Sequence, residues 1–167
     1  APGTKTTHIA ELMQNRGRIV ATDVSPERLA RVAENCLRLR IEIVEPQIIR
    51  EDSTDAPAGP FEAVLLDVPC SNTGVLGKRP EARWRISPAD LVELPEIQKR
   101  LLAAACQRVR PGGRVVYSTC SLEPEENADV VRWLLATDDR FLLREEKLHL
   151  PGAPADGAYQ ALLEWAS

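Results

Sequence analysis

Along this chain the spacing of hydrophobic residues switches between a helical and a strand period several times, and the switches mark out an alternation of elements. After the turn-rich opening Ala1-Pro2-Gly3-Thr4-Lys5-Thr6-Thr7, Ile9, Leu12 and Met13 recur at helical spacing, which predicts a loop running directly into a helix. Arg18 to Asp23 reads as a buried strand that ends in an acid. Ser25-Pro26-Glu27 is a cap with proline in the first turn. It predicts a helix over about 26–39 with Leu29, Val32, Ala33, Cys36 and Leu37 on one face. Strands are predicted at 41–44, 61–67 and 113–118, the last two the strongest. Between those two lie a Pro- and Gly-rich loop and a long helix of roughly 88–109, stopped by Pro111-Gly112-Gly113. Another helix is expected from about Pro124 to Leu135, with weaker strand signals at 141–143 and 159–165.

Strands alternating with helices predict an α/β fold with a doubly wound, mostly parallel sheet, in which ligands collect beyond the carboxyl ends of the strands. Those ends are the turn at Pro2 to Lys5, Asp23, the segment around Asp52, Asp67 to Cys70, and Ser118 to Cys120. The pattern opens on a strand-to-helix turn without the strand before it. Residues 1–167 are therefore expected to form one domain that lacks its first strand and is incomplete at the N-terminus.

Composition narrows the function classes. A chain of 167 residues with 44% hydrophobic content can bury one sizeable core. Its net charge of -4 argues against a chain that coats nucleic acid without specificity. That total conceals a basic stretch: residues 68–120 hold nine basic side chains against four acids, a local +5, so the rest carries -9. No apolar run approaches the length of a membrane span, and no signal segment is visible. The four cysteines show no CxxC spacing, which favours a reduced, cytoplasmic setting. With only His8 and His149, neither a Ser-His-Asp arrangement nor a metal site has much to build from.

Two features carry chemistry. Gly3 at a loop-to-helix junction, with Asp23 twenty residues on at a strand end, suits a nucleoside-containing cofactor whose ribose the acid would hold; the same residues also read as an ordinary turn and a helix cap. Asp67-Val68-Pro69-Cys70 and Ser118-Thr119-Cys120-Ser121 each bring a cysteine to the ligand edge of the sheet, near Lys78, Arg79, Arg83 and Arg85, which favour thiolate. Cys36 and Cys106, on apolar helix faces, read as small buried hydrophobes. Arg79, Arg83 and Arg85 with Trp84 suit contact with RNA, phosphates to the guanidinium groups and bases to the indole; the competing expectation is a solvated loop with Trp84 half buried. Glu125, Glu126 and Asn127 read as the acidic first turn of a helix.

The segments Ala1-Pro2-Gly3-Thr4-Lys5-Thr6, Asp67-Val68-Pro69-Cys70-Ser71, Gly74, Arg83-Trp84 and Tyr117-Ser118-Thr119-Cys120-Ser121, followed by Pro124-Glu125-Glu126-Asn127, together resemble the Sun/Fmu/NOL family of RNA cytosine-5 methyltransferases, its ribosomal RNA branch most of all. The resemblance spans essentially the whole chain. It implies a class I S-adenosylmethionine-dependent methyltransferase fold, Rossmann-like. Under it Ala1, Pro2, Gly3, Thr4 and Lys5 form the cofactor loop, Asp23 holds the ribose, Asp52 lies near the adenine, and Asp67 stands between cofactor and base. It also implies that Cys120 is the nucleophile on cytosine carbon 6 and that Cys70 assists release. The substrate is then an unstacked cytosine in RNA, with the family's N-terminal RNA-binding domain absent here. Thr4, Val68 and Asp156-Gly157-Ala158-Tyr159 depart from the family pattern, and only Thr4 touches the cofactor loop. The same residues leave open a transfer RNA methyltransferase, a binding module of this fold without catalysis, and a nicotinamide-dependent oxidoreductase, which leaves the paired cysteines unexplained.

Overall fold

The computed structural model describes residues 3–51, 53–152 and 155–166. Ala1, Pro2 and Asp52, all expected at the cofactor site, lie outside the described residues. The chain divides into two compact units, Ala1–Pro57 and Ala58–Ser167.

The first unit carries α1 (Thr4–Leu12), β1 (Ile19–Asp23), α2 (Pro26–Leu39) and β2 (Val44–Ile48), with β1 and β2 paired in parallel from Ile19 opposite Val44 to Asp23 opposite Ile48. Gly3 opens α1 in the left-handed region at φ 92°, a conformation open to glycine. Ser25 caps α2 by accepting the Arg28 N–H, and Pro26 takes the first helical position, where its missing donor costs nothing. Leu29, Val32 and Cys36 are buried, whereas Ala33 and Leu37 on the predicted apolar face are exposed. The strand expected at 41–44 begins instead at Val44. Ile41 is taken up in closing the helix, its N–H donating to the Cys36 carbonyl past the left-handed Arg40.

The second unit holds β3 (Phe61–Asp67), the short α3 (Ala82–Arg85), α4 (Asp90–Cys106), β4 (Val109–Thr119), α5 (Ala128–Thr137), β5 (Phe141–His149) and β6 (Ala158–Trp165). Its sheet runs in the order β3-β4-β6-β5, with β3 and β4 parallel and the last two strands antiparallel to their neighbours. The core lies where α4 and α5 cover this sheet, around Leu102, Cys106, Val115, Tyr117, Leu134 and Leu163. The expected helix over 88–109 ends at Cys106, because Val109 already pairs with Phe61 as the start of β4. Pro124–Glu126 is a separate 3-10 turn before α5 rather than the first turn of that helix. Among the described residues no helix is long and apolar enough to cross a membrane.

The parallel pair β3 and β4 fixes the site. Asp67 lies opposite Ser118, so the chain leaves both strands at the same level and the two cysteine-bearing loops start side by side.

Candidate active site

Along β4, burial alternates through Val115, Tyr117 and Thr119, and Ser121 just beyond the strand continues the inward-facing row. Buried hydroxyls at the end of an apolar row need partners. Thr119 Oγ1 donates to Asn127 Oδ1 at 2.6 Å, and Asn127 Nδ2 donates to the Ser121 carbonyl at 3.0 Å. Ser121 Oγ donates to Glu126 Oε1 at 2.7 Å. Glu126 is fully buried, and its other oxygen accepts the Ser71 N–H and Gln98 Nε2, each at 2.9 Å. Gln98 Nε2 also reaches the Pro69 carbonyl at 2.9 Å, and Tyr117 donates its hydroxyl to the Glu126 carbonyl at 2.6 Å. The reading of Glu126 as no more than part of an acidic first helical turn is therefore corrected. Burial and three donors make it the junction between the loop after β3 and the loop after β4. The inward row of β4, carried on to Ser121, is the sequence signal that points to such a partner.

On this frame the two sulfurs meet. Cys70 Sγ and Cys120 Sγ are 3.2 Å apart, both half-buried and free of disulfides. The Cys120 N–H points at Cys70 Sγ at 3.4 Å, and Cys120 Sγ donates to Asn72 Oδ1 at 3.0 Å. Asn72, left-handed at φ 63°, returns its Nδ2 to the Cys70 carbonyl at 2.7 Å; asparagine tolerates that backbone better than most residues. The hydrogen bond to Cys120 holds the Cys70 thiol well above the ordinary thiol range, with burial and repulsion from a Cys120 thiolate adding to it. Cys36 and Cys106 are buried, and burial pushes the Cys106 thiol up to about 12.

Beside Cys70 a cavity of about 240 Å³ opens, lined among others by Asn72, Arg79, Arg85, Asp90 and Leu94. Of the four residues expected to face RNA, Arg79 and Arg85 line it, while Arg83 and Trp84 project from α3 into solvent. Trp84 is 86% exposed, which replaces the half-buried alternative with an open indole face. The Asp67 carboxylate is exposed at the end of β3, one residue before the buried Val68.

In the first unit, the Gly3 carbonyl accepts the Thr7 N–H at 2.8 Å and a side chain at Gly3 would crowd Val32, so α1 starts tight against α2. Thr4 and Lys5 are exposed at this start. Asp23 ends β1, and its Oδ1 accepts the Ser25 N–H at 2.9 Å while Oδ2 faces Arg28 at 3.7 Å. It therefore does serve as a local cap, and its second oxygen is left with only a long ion pair. A helix start and a strand-end carboxylate are the donor and acceptor set that a nucleoside-containing cofactor needs. Among the described residues no group of three or more His, Cys, Asp or Glu is placed to hold a metal ion.

Residues 1–161 match the family model described as 16S rRNA methyltransferase RsmB/F. Ribosomal RNA small subunit methyltransferase B of Erwinia tasmaniensis is 36% identical over 176 residues, covering 98% of this chain, which spans 40% of that relative's length. The solved structure of NSun6 from Pyrococcus horikoshii with SFG superposes at a TM-score of 0.89 with 30% identity, over all of this chain and 46% of that one. A methyltransferase homolog protein from Pyrococcus horikoshii gives a TM-score of 0.81 at 29% identity, over 99% of this chain and 59% of that one. The fold is the Rossmann-like fold of class I methyltransferases. With a family match that runs from residue 1 to residue 161, the chain belongs to the 16S rRNA methyltransferase RsmB/F family.

Proposed function

We propose that this chain is the catalytic part of an RNA cytosine-5 methyltransferase acting on small-subunit ribosomal RNA, with S-adenosylmethionine as methyl donor. The observation that carries the reading is the pair of sulfurs 3.2 Å apart at the ends of two adjacent parallel strands. The names of the relatives support the ribosomal RNA substrate, and a structural relative solved with SFG supports an adenosyl-type ligand. A cytoplasmic location goes with that substrate.

Gly3, Thr4, Lys5 and Asp23 would hold the cofactor, which fits the helix start and strand-end acid they provide; Ala1, Pro2 and Asp52 complete the expected set. When bound, it supplies a sulfonium-activated methyl group for carbon 5. The chain's own residues handle the base. Carbon 5 of cytosine is a weak nucleophile, so Cys120 adds as thiolate to carbon 6 and pushes electron density onto carbon 5. Asp67, as the acid, donates a hydrogen bond to the base edge, where this addition places negative charge. Once carbon 5 is methylated, its remaining proton must leave and the carbon 6–sulfur bond must break. Cys70 relays that proton: its S–H passes to the departing Cys120 sulfur while its own sulfur accepts the carbon 5 proton. A sulfur 3.2 Å from the departing one is within reach for this task.

The cavity beside Cys70 is smaller than the roughly 300–1,000 Å³ of drug-sized ligand pockets, a scale that suits a single base. A base reaches it only when unstacked, which favours a loop or bulge of RNA, with Arg79 and Arg85 on phosphates and Trp84 on a neighbouring base. Incubation of the intact protein with substrate RNA and cofactor, followed by denaturing gel analysis, tests the two roles. Cys70→Ala accumulates a covalent RNA adduct and Cys120→Ala forms none; an adduct with Cys120→Ala would remove the assignment.

A further inference from the structure

Each cysteine is held through its sequence neighbours, and the two sets of neighbours share one side chain. Ser71, which follows Cys70, gives its N–H to Glu126 Oε2, and Gln98 Nε2 ties that same oxygen to the carbonyl of Pro69, which precedes Cys70. Ser121, which follows Cys120, gives its hydroxyl to Glu126 Oε1. We infer that Glu126 is the positioning residue that sets the separation of the Cys70 and Cys120 sulfurs, and through it the step in which the nucleophile is released.

The chemistry of the group supports this. An ionised carboxyl group is acceptor-only and takes several donors at once, whereas an amide of the same shape must turn one end into a donor. The Glu126 carboxylate is met by donors alone: a backbone N–H, an amide NH₂ and a hydroxyl, reaching it from the loop after β3, from α4 and from the loop after β4. In Glu126→Gln the new NH₂ faces either the Ser71 N–H and Gln98 NH₂, donor against donor, or Ser121 Oγ, which must then turn its own proton away to Ser71 Oγ at 3.0 Å or Thr73 Oγ1 at 3.3 Å while still accepting the Glu123 N–H. Either way a charge-assisted bond that holds one of the cysteine loops is lost or replaced by a weaker one. The Glu126 carboxylate also has no solvent beside it to replace a missing partner, so a misfit there is transmitted to the loops rather than absorbed by water.

The consequence for release rests on the reading in which Cys120 attacks the base and Cys70 relays the proton; the consequence for sulfur spacing does not. Phenylarsine oxide separates the two. It binds a pair of neighbouring thiols by forming two arsenic–sulfur bonds and expelling one water, and its affinity depends on how the sulfurs are spaced. In the intact folded protein, Glu126→Gln is expected to weaken binding of phenylarsine oxide to the Cys70–Cys120 pair by about tenfold and to lower kcat by about 10- to 100-fold, with KM for RNA and cofactor within about twofold. Cys70→Ala gives the signal for loss of the pair. Wild-type arsenical affinity in folded Glu126→Gln overturns the inference. If that variant does not fold, Ser121→Ala is compared with Ser71→Ala: both lose the contact between the two hydroxyls, but only the first removes the donor on Oε1, so it is expected to weaken arsenical binding severalfold more, and equal affinities overturn the inference. Methyl transfer by Cys120→Ala would instead remove the assignment of the nucleophile, and arsenical binding would still report on Glu126.

Discussion

Gly74 and Gly157 pack backbone to backbone next to the cysteine loops: Gly74 donates its N–H to the Cys120 carbonyl at 2.9 Å, and Gly157 donates to the Gly74 carbonyl at 2.8 Å. A Cβ on Gly74 would stand 2.5 Å from the Gly157 oxygen and 2.9 Å from the Cys120 oxygen, and backbone atoms cannot turn aside as a side chain can. Gly74→Ala is therefore expected to destabilise the fold by about 1–3 kcal/mol in urea unfolding, an overpacking cost. A wild-type midpoint would show that the two backbones can part without cost. Only part of this local chemistry can be read from the sequence. Cys70, Cys120 and Asp67 stand out because their residue types and strand-end positions suggest chemistry. Glu126 does not, since an acid after a proline near a helix start has an ordinary explanation. What separates the two cases is burial, which is set by β4 and α4 together and is invisible in a local window.

Among the secondary-structure elements, α2 and the middle of β4 follow from periodicity, because Leu29, Val32 and Cys36 in one and Val115, Tyr117 and Thr119 in the other recur on a buried face, whereas β3 follows from its short apolar run. The misplaced boundaries share a cause. Pro111-Gly112-Gly113 reads as a helix stop, yet it lies within β4, where the register jumps from Phe61 opposite Val109 to Ala63 opposite Arg114. The three residues form the irregularity, with Gly112 at φ 72°, so breakers that would end a regular element are accommodated as a bulge. β5 is masked by Arg144, Glu145, Glu146 and Lys147, which an edge strand carries on exposed positions. The turn between α5 and β5 offers a test through pH. Asp138 receives Arg140 Nε at 2.7 Å, and this hydrogen bond holds its carboxyl below the usual carboxylate range. A carboxyl group with a depressed folded-state pKa adds stability above its unfolded value and loses it as pH falls through the folded one. Asp138→Asn is therefore expected to melt below the wild type at pH 7, and the difference should shrink once pH falls below about 4. A gap independent of pH would place the effect in packing instead.

For the whole molecule, the acidic total says less than its distribution. The +5 stretch of residues 68–120 contains both cysteine motifs, the cavity arginines and the exposed Trp84, so the positive charge gathers around the proposed site. Replacing Arg79 and Arg85 together by glutamine is expected to weaken RNA binding and to reduce the salt slope of log K by about 0.7 for each phosphate left without its guanidinium on single-stranded RNA. An unchanged slope would remove those two side chains from the RNA interface. Fold class and family follow from motifs spread over the chain, whereas the pairing of the two sulfurs depends on Asp67 and Ser118 lying level in parallel strands, a register that no single segment specifies. The proposed reaction turns on Cys120 as the nucleophile. The decisive assay is transfer of a labelled methyl group to carbon 5 of cytosine, with Cys120→Ala compared with the wild type in the intact protein: no detectable transfer by the variant is expected, and a wild-type rate would contradict the role given to Cys120.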